Sequence, residues 1–517
     1  MRASGRQRKL DGLLVGVLVL WAMLIQRPWR AVPPPVSDMG AILTTLHETT
    51  SVLDGTVALT TGFAREGRFM PGSMLALAAK EELFGSSGVD WRWAGFIVGA
   101  ALVAAAYVAL RRFRLLPLAA FVGASLFIYS DHASGAWLLP QVMEPLAALL
   151  VIGATLIALR YRVTSKPAQT AMAISITLVA AIWVKEPLVA AVPFVACVAL
   201  FWREGTWDTA PSWDRVRLLV IAIAVLVGVA NIGPILAVRF LAENPDYAER
   251  YSASTFSLAT LSNSVRASIF PVTRVPWFPA NVAAVVIILL GVAVGIRRGR
   301  ARQTLLWVAI PLLLPLSVGL IYAPWPSFPG YYALAGTFGL SLVIAWALTE
   351  VSGEPALATA SAAAASAGMA LLGTVVVTSA AATYVAERRM EVVLARHLHD
   401  VRSADILVFG TRTPAFSGSY GSSLIAYSTL FFGRSALKGA IDTTCQEAER
   451  LAAIGQPDTV IVTYQTECPG LGRSAAITVE EPVATRDWKT MRTQMDTLRA
   501  TLTGTLPSPP LNDRTRE

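Results

Sequence analysis

Leu13-Leu14-Val15-Gly16-Val17-Leu18-Val19-Leu20-Trp21-Ala22-Met23-Leu24-Ile25 is an unbroken apolar run, preceded by Arg2, Arg6, Arg8 and Lys9 and followed by Arg27-Pro28-Trp29-Arg30. A basic flank before an apolar stretch is shared with secretory signals, but a cleaved signal ends in small residues. Here charged and bulky residues follow. The run reads as an uncleaved membrane anchor with its N-terminus in the cytoplasm.

The rest of the chain repeats this alternation. Of 517 residues, 54% are hydrophobic and 15% charged, with mean hydropathy +0.55. That is too apolar for a water-soluble protein whose core needs a polar wrapping. Further apolar runs cover 91–110, 115–129, 137–159, 171–184, 188–202, 218–238, 281–296, 305–323, 332–348 and 357–378. With the first, they predict a mainly α, polytopic transmembrane protein of about 11 spans. The net charge of +9 sits in short Lys/Arg clusters between runs, at Arg111, Arg112 and Arg114, Arg160 to Lys166, Arg203 to Arg217 and Arg297 to Arg302. This pattern orients helices and argues against nucleic-acid binding. The clusters all fall on one side of an 11-span arrangement. The stretch 349–355 is the exception, with Glu350, Glu354 and no positive charge.

Two long loops face outward, 28–90 and 239–279. In the first, Pro33-Pro34-Pro35 leads to Val36-Ser37-Asp38-Met39-Gly40, where Ser37 suits a helix N-cap and Asp38 its first turn. A short amphipathic helix is expected over 74–84, flat on the interface because it is too short to span. Residues 1–380 form the membrane domain. Residues 381–506 change character, with strands expected at 404–410 and 459–464 and helices near 387–402, 444–453 and 488–502. They predict a small extracytoplasmic α/β domain, followed by a disordered tail, 507–517. Cys197 lies in an apolar run as a core residue. Cys445 and Cys468 lie in the C-terminal domain and, on an oxidising side, are candidates for a disulfide contributing about 3 kcal/mol.

Several residues are placed for chemistry. Asp38 either complements a helix dipole or serves as a general base at the membrane surface, where partial desolvation raises a carboxylate toward a useful pKa. Lys185 separates two short apolar runs; it is either a snorkelling lysine partnered by Glu186 or a cation for a lipid phosphate. Arg65 and Arg68 add two cations in the first loop, solvated or phosphate-binding. Asp131 and His132 occupy a short external turn and either bond locally or supply a second acid or a metal site. Glu144, before Pro145 in an apolar setting, must be paired or line a cavity.

Together these residues resemble the GT-C superfamily of polytopic glycosyltransferases, which use polyprenyl-phosphate sugars. The likeness lies in Asp38 in the first external loop, Gly67-Arg68-Phe69-Met70-Pro71 before a short helix, Leu83-Phe84-Gly85, Val184-Lys185-Glu186-Pro187 with Pro193, and Pro329-Gly330-Tyr331-Tyr332. It covers roughly residues 10–350, each motif being short and weak alone while their order and side agree. The resemblance implies sugar transfer outside the membrane from a polyprenyl-phosphate donor to a glycan, lipid or protein acceptor. It makes Asp38 the acceptor's base and sets Lys185, and Arg68 beside it, on the lipid phosphate. Some such families carry two adjacent acids in the first loop, whereas Asp38 is flanked by Ser37 and Met39, which leaves a divalent metal (Mg or Mn) open. Two rivals stand: a polysaccharide polymerase or ligase of another architecture, depending on Arg250, Arg266 or Arg274, and a lipid-substrate transporter without chemistry. High Ala and Arg content suggests a GC-rich bacterial source and hence the cytoplasmic membrane.

Overall fold

The computed structural model describes residues 5–26, 48–65, 68–85, 88–130, 132–133, 143–208, 212–240, 256–269, 278–324, 330–353, 406–411, 439–454, 459–464 and 477–479, with positions 28, 42, 45 and 46. Asp38, Asp131, Cys468, the last expected span at 357–378, the helices expected at 387–402 and 488–502, and the tail lie outside them.

The described chain is mainly α. Helix α1 (Gly5–Gln26) contains the opening apolar run. In the first loop come α2 (Val52–Arg65) and α3 (Pro71–Phe84). Helices α4 (Gly88–Arg112), α5 (Pro117–Tyr129), α6 (Glu144–Ala158) and α7 (Pro167–Val184) follow. A 3-10 turn, Glu186–Ala190, leads into α8 (Ala191–Phe201). Next are α9 (Trp213–Phe240), α10 (Leu258–Ile269), α11 (Phe278–Arg297), α12 (Ala301–Ile321) and α13 (Thr337–Ser352). Proline stands at the first turn of α3, α5, α6 and α7, where its fixed φ suits the helix and its missing N–H costs no bond.

Stretches Asp90–Arg112, Pro167–Val184, Trp213–Ile232 and Ala301–Ile321 are each long and apolar enough to cross a membrane, and shorter apolar helices stand beside them. Val220, Ile221, Val225 and Val229 of α9 are exposed, which water would penalise and lipid would not. The chain is a multi-pass membrane protein.

Between the helices the core is aromatic and tightly crossed. Trp91, Tyr107, Phe127, Phe194 and Phe338 are buried. Where α11 crosses α13, a Cβ on Gly291 would lie 2.6 Å from Ala347, and on Gly123 of α5 it would lie 2.8 Å from the Ser341 carbonyl. Only glycine lets these backbones approach so closely, the usual route to helix association where lipid removes the hydrophobic drive. Helix α12 carries Pro311 and Pro315. Because residue 315 lacks an N–H, the Pro311 carbonyl has no donor one turn on, and Gly339 of α13 packs against that oxygen.

One end of the bundle gathers the arginines. Asp11 accepts from Arg111 at 2.8 Å and from Tyr107 at 2.7 Å. Arg215 donates to the carbonyls of Tyr161, Arg162 and Thr164. A two-stranded hairpin, β1 (Trp202–Arg203) with β2 (Thr206–Trp207), is clamped by Gln303, whose side chain accepts from the Trp207 N–H and donates to its carbonyl. Trp202, Trp207 and Trp307 pack edge-on with centroids 5.1–5.5 Å apart, and Phe113 and Trp346 extend the cluster. Glu350 pairs here with Arg298 at 2.8 Å and Arg300 at 2.9 Å, while the Thr349 hydroxyl accepts from the Leu116 N–H. The acidic stretch that departed from the charge pattern therefore sits among the arginines, which supply its missing positive charge.

In the C-terminal region, β3 (Ile406–Thr411), β4 (Gly439–Thr444), β5 (Thr459–Tyr464) and β6 (Ile477–Val479) form a parallel sheet ordered β4-β3-β5-β6, with α14 (Cys445–Ile454) following β4. The strands and helix expected near 404–410, 459–464 and 444–453 are present. Cys197 is free and Cys445 is disulfide-bonded.

Candidate functional site

The end of α7 opposite the arginines carries the densest convergence of sequence-predicted residues. Helix α7 ends at Val184, and the chain is extended at Lys185 (φ −152°, ψ 106°) before the 3-10 turn that carries Pro187 begins at Glu186. This lifts the Lys185 side chain off the helix axis toward α6. Its Nζ lies 2.7 Å from Glu144 Oε1, with the two side chains only 12% and 7% exposed. The approach to that oxygen is poorly angled for a hydrogen bond, so the contact is an ion pair by charge and distance. Glu186 does not partner Lys185: its Oε1 accepts the Phe69 backbone N–H at 2.7 Å.

Above the ammonium is a ring. Lys185 Nζ stands 4.3 Å from the centroid of Tyr332, which follows the 3-10 turn start at Gly330 and stacks on Tyr322 at 5.0 Å and 15°. A cation over an aromatic face is attracted by the ring's negative quadrupole. Tyr322 closes α12, so the site joins α6, α7, the end of α12 and the approach to α13.

The first loop is stitched to the same place. Ser73 of α3 donates to the Val184 carbonyl at 2.5 Å. Gly72 lies so close to α7 that a Cβ there would meet the Trp183 backbone at 3.0 Å. Together with the Phe69–Glu186 bond, these contacts hold residues 69–73 beside Lys185. Arg68, one residue before the anchor, has Nη2 3.3 Å from Met70 Sδ and its guanidinium 5.9 Å from the Phe63 centroid. Arg65 ends α2.

His132 is placed elsewhere in this end of the bundle. Its ring is fully buried, with Nδ1 2.9 Å from the Thr337 hydroxyl and Nε2 2.6 Å from the Ala267 carbonyl. A carbonyl only accepts, so Nε2 carries a proton and donates it to Ala267, while Nδ1 is hydrogen-bonded to the Thr337 hydroxyl. Both nitrogens are engaged, and the ring ties α10 to α13. Glu144 faces Lys185 instead of His132. Among the described residues no group of three His, Cys, Asp or Glu side chains is placed to hold a metal ion, and a metal set built on His132 and Glu144 does not fit this geometry.

Lys80, two turns on from Ser73 in α3, stands 5.6 Å from the Trp91 centroid, and burial pulls its pKa down to about 8. Sequence reasoning gave no role to Tyr322 or Ser73. Their only signal was position, a tyrosine at the end of the apolar run 305–323 and a small hydroxyl two residues after Pro71.

No protein-family model matches the sequence and no curated protein matches it. Solved structures that it is similar to include ArnT from Cupriavidus metallidurans in the apo state, 14% identical with TM-score 0.46, covering 87% of this chain and 92% of that one. The same protein bound to undecaprenyl phosphate aligns with TM-score 0.39, again at 14% identity and over 87% and 92% of the two chains. The Archaeoglobus fulgidus oligosaccharyltransferase, in a complex with Zn and sulfate, is 11% identical with TM-score 0.43 over 72% of this chain. This chain spans 53% of that protein's length. At these TM-scores the likeness carries no residue roles across.

Proposed function

We propose that this chain is a glycosyltransferase of the cytoplasmic membrane that moves a sugar from a polyprenyl-phosphate donor to an acceptor hydroxyl on the outer side. The observation that carries the reading is the stitched cluster: Lys185, a buried cation with a fixed direction, joined to the first loop that holds Arg68 and Asp38. A cation in a water-poor setting at a membrane surface suits a leaving phosphate carried on a lipid.

In the proposed single displacement, the acceptor oxygen attacks the anomeric carbon as the bond from that carbon to the phosphate oxygen breaks. The electron pair leaves with the phosphate, and the acceptor's proton passes to the Asp38 carboxylate. Lys185 neutralises the charge growing on the phosphate, with Arg68 and Arg65 as further cations of the same loop. Glu144 and Tyr332 hold the ammonium in place before substrate arrives, so little reorganisation remains for the reaction itself. The C-terminal sheet is assigned to acceptor recognition on the outer side.

Transfer of labelled sugar from a panel of polyprenyl-phosphate donors, by membranes holding the wild type or Asp38→Asn, tests this directly. Label should reach an acceptor only with the wild type. Equal transfer by the folded Asp38→Asn variant would remove the base from the scheme. Transport of donor across vesicles with no transfer would favour the transporter.

A further inference from the structure

The arginine end of the bundle holds an open cavity of ≈ 150 Å³ that the proposed chemistry does not use. Its walls come from four separate segments: Arg114 after α4, Thr206 of the hairpin, Arg300 and Gln303 at the start of α12, and Trp346 and Glu350 near the end of α13. Helix α12 starts here and ends at Tyr322, so its 21 residues separate the cavity from the Lys185 cluster by about 30 Å.

Three features mark the cavity as a site for an anion. Arg114 adopts a left-handed backbone, φ 62°, which costs a non-glycine residue energy, and its side chain lies across Gly205. A Cβ there would be 2.7 Å from Arg114 Cδ, and Gly205 itself has φ 106°. Among the described residues no carboxylate pairs with Arg114. Secondly, the lining acid is already answered, since Glu350 binds both Arg298 and Arg300. Among the lining side chains, Arg114 and Arg300 stand against this one glutamate, which leaves one positive charge in excess. Thirdly, Trp346, 2% exposed, walls the inner side of the cavity, and an apolar wall strengthens the pairing of charges placed against it.

We infer that this cavity binds a phosphate group, taken by the guanidinium of Arg114 together with Arg300, at the face of the membrane opposite the transfer site. Guanidinium forks match phosphate oxygens in pairs. The cavity lies at the ends of the helices, where lipid headgroups sit, and basic pockets between such helix ends accept anionic headgroups. The same chemistry would accept a free phosphate, so the test separates the two sources.

The full chain is placed in nanodiscs of phosphatidylcholine alone or with phosphatidylglycerol, and in a third arm inorganic phosphate is added to the phosphatidylcholine discs. Thermal unfolding is followed as each anion is titrated, because a ligand that binds only the folded state raises Tm with its concentration. The wild type should be stabilised by phosphatidylglycerol, by phosphate, or by both. Arg114→Gln should need about tenfold more anion for the same shift, the scale of one charge-assisted hydrogen bond. Arg300→Gln, which removes the second lining guanidinium, should weaken the response in the same direction. Arg112→Gln, an exposed neighbour outside the cavity, should respond as the wild type does. No stabilisation by either anion, or equal stabilisation of Arg114→Gln and the wild type, would overturn the inference. A response lost equally with Arg112→Gln would reduce it to surface charge and overturn it as well.

Discussion

A buried ammonium is tolerable only while a charge of opposite sign answers it, so the fate of Lys185 is bound to Glu144. Removing one member leaves the other uncompensated, which costs about 3–5 kcal/mol in a buried pair. Glu144→Ala should therefore lower Tm sharply in detergent, whereas the double variant Glu144→Leu/Lys185→Met should recover much of that loss and still fail to transfer sugar. Recovery of transfer by the double variant would detach Lys185 from the chemistry. Lys80 offers a pH reading at the same scale. Its folded pKa, held by burial at about 8, lies below the unfolded value near 10.4. Between these values the unfolded chain binds more protons, so stability rises with pH across that window. Denaturation midpoints from pH 7.5 to 10.5 should show the rise in the wild type and a shallower slope in Lys80→Met.

At the scale of elements, two crossings depend on the absence of a side chain. Gly291→Val would drive its methyl groups into Ala347, and overpacking of this kind costs about 1–3 kcal/mol or more where backbone must move. It should separate α11 from α13 and loosen Glu350 from Arg298, read as a loss of Tm larger than that of Gly228→Val, since nothing stands within 4 Å of Gly228. The helices were legible in the sequence because apolar runs between basic clusters leave a membrane chain little choice. The site was legible only in part. Lys185 and Glu144 announce themselves as charges in apolar surroundings, but that Lys185 turns to α6, 41 positions back, and not to its neighbour Glu186 depends on the extended backbone at Lys185. His132 illustrates the same limit: its type suggested ligation, while its two partners come from α10 and α13, distances along the chain that no local pattern encodes.

For the whole molecule, two faces follow from the contacts. Hairpin residues 202–207, the turn at 298–300 and the end of α13 lie together, while Lys185, Tyr332 and residues 69–73 lie at the other ends of the same helices. Single cysteines introduced at Gly299→Cys and Gly85→Cys, with Cys197, Cys445 and Cys468 all replaced by Ala, should react with a membrane-impermeant maleimide from opposite sides in oriented vesicles. Labelling of both from one side would break the two-faced reading.

The disulfide at Cys445 then acquires a second meaning. Thiols oxidise and stay oxidised where the surroundings are oxidising, and are kept reduced in the cytosol. The expected outward placement of the C-terminal region therefore carries a redox signature: Cys445 oxidised in intact cells is what that placement predicts, and Cys445 reduced would put the region on the cytosolic side. Redox state thus becomes a compass for topology, and alkylation of Cys445 in intact cells with and without reductant tells which way it points.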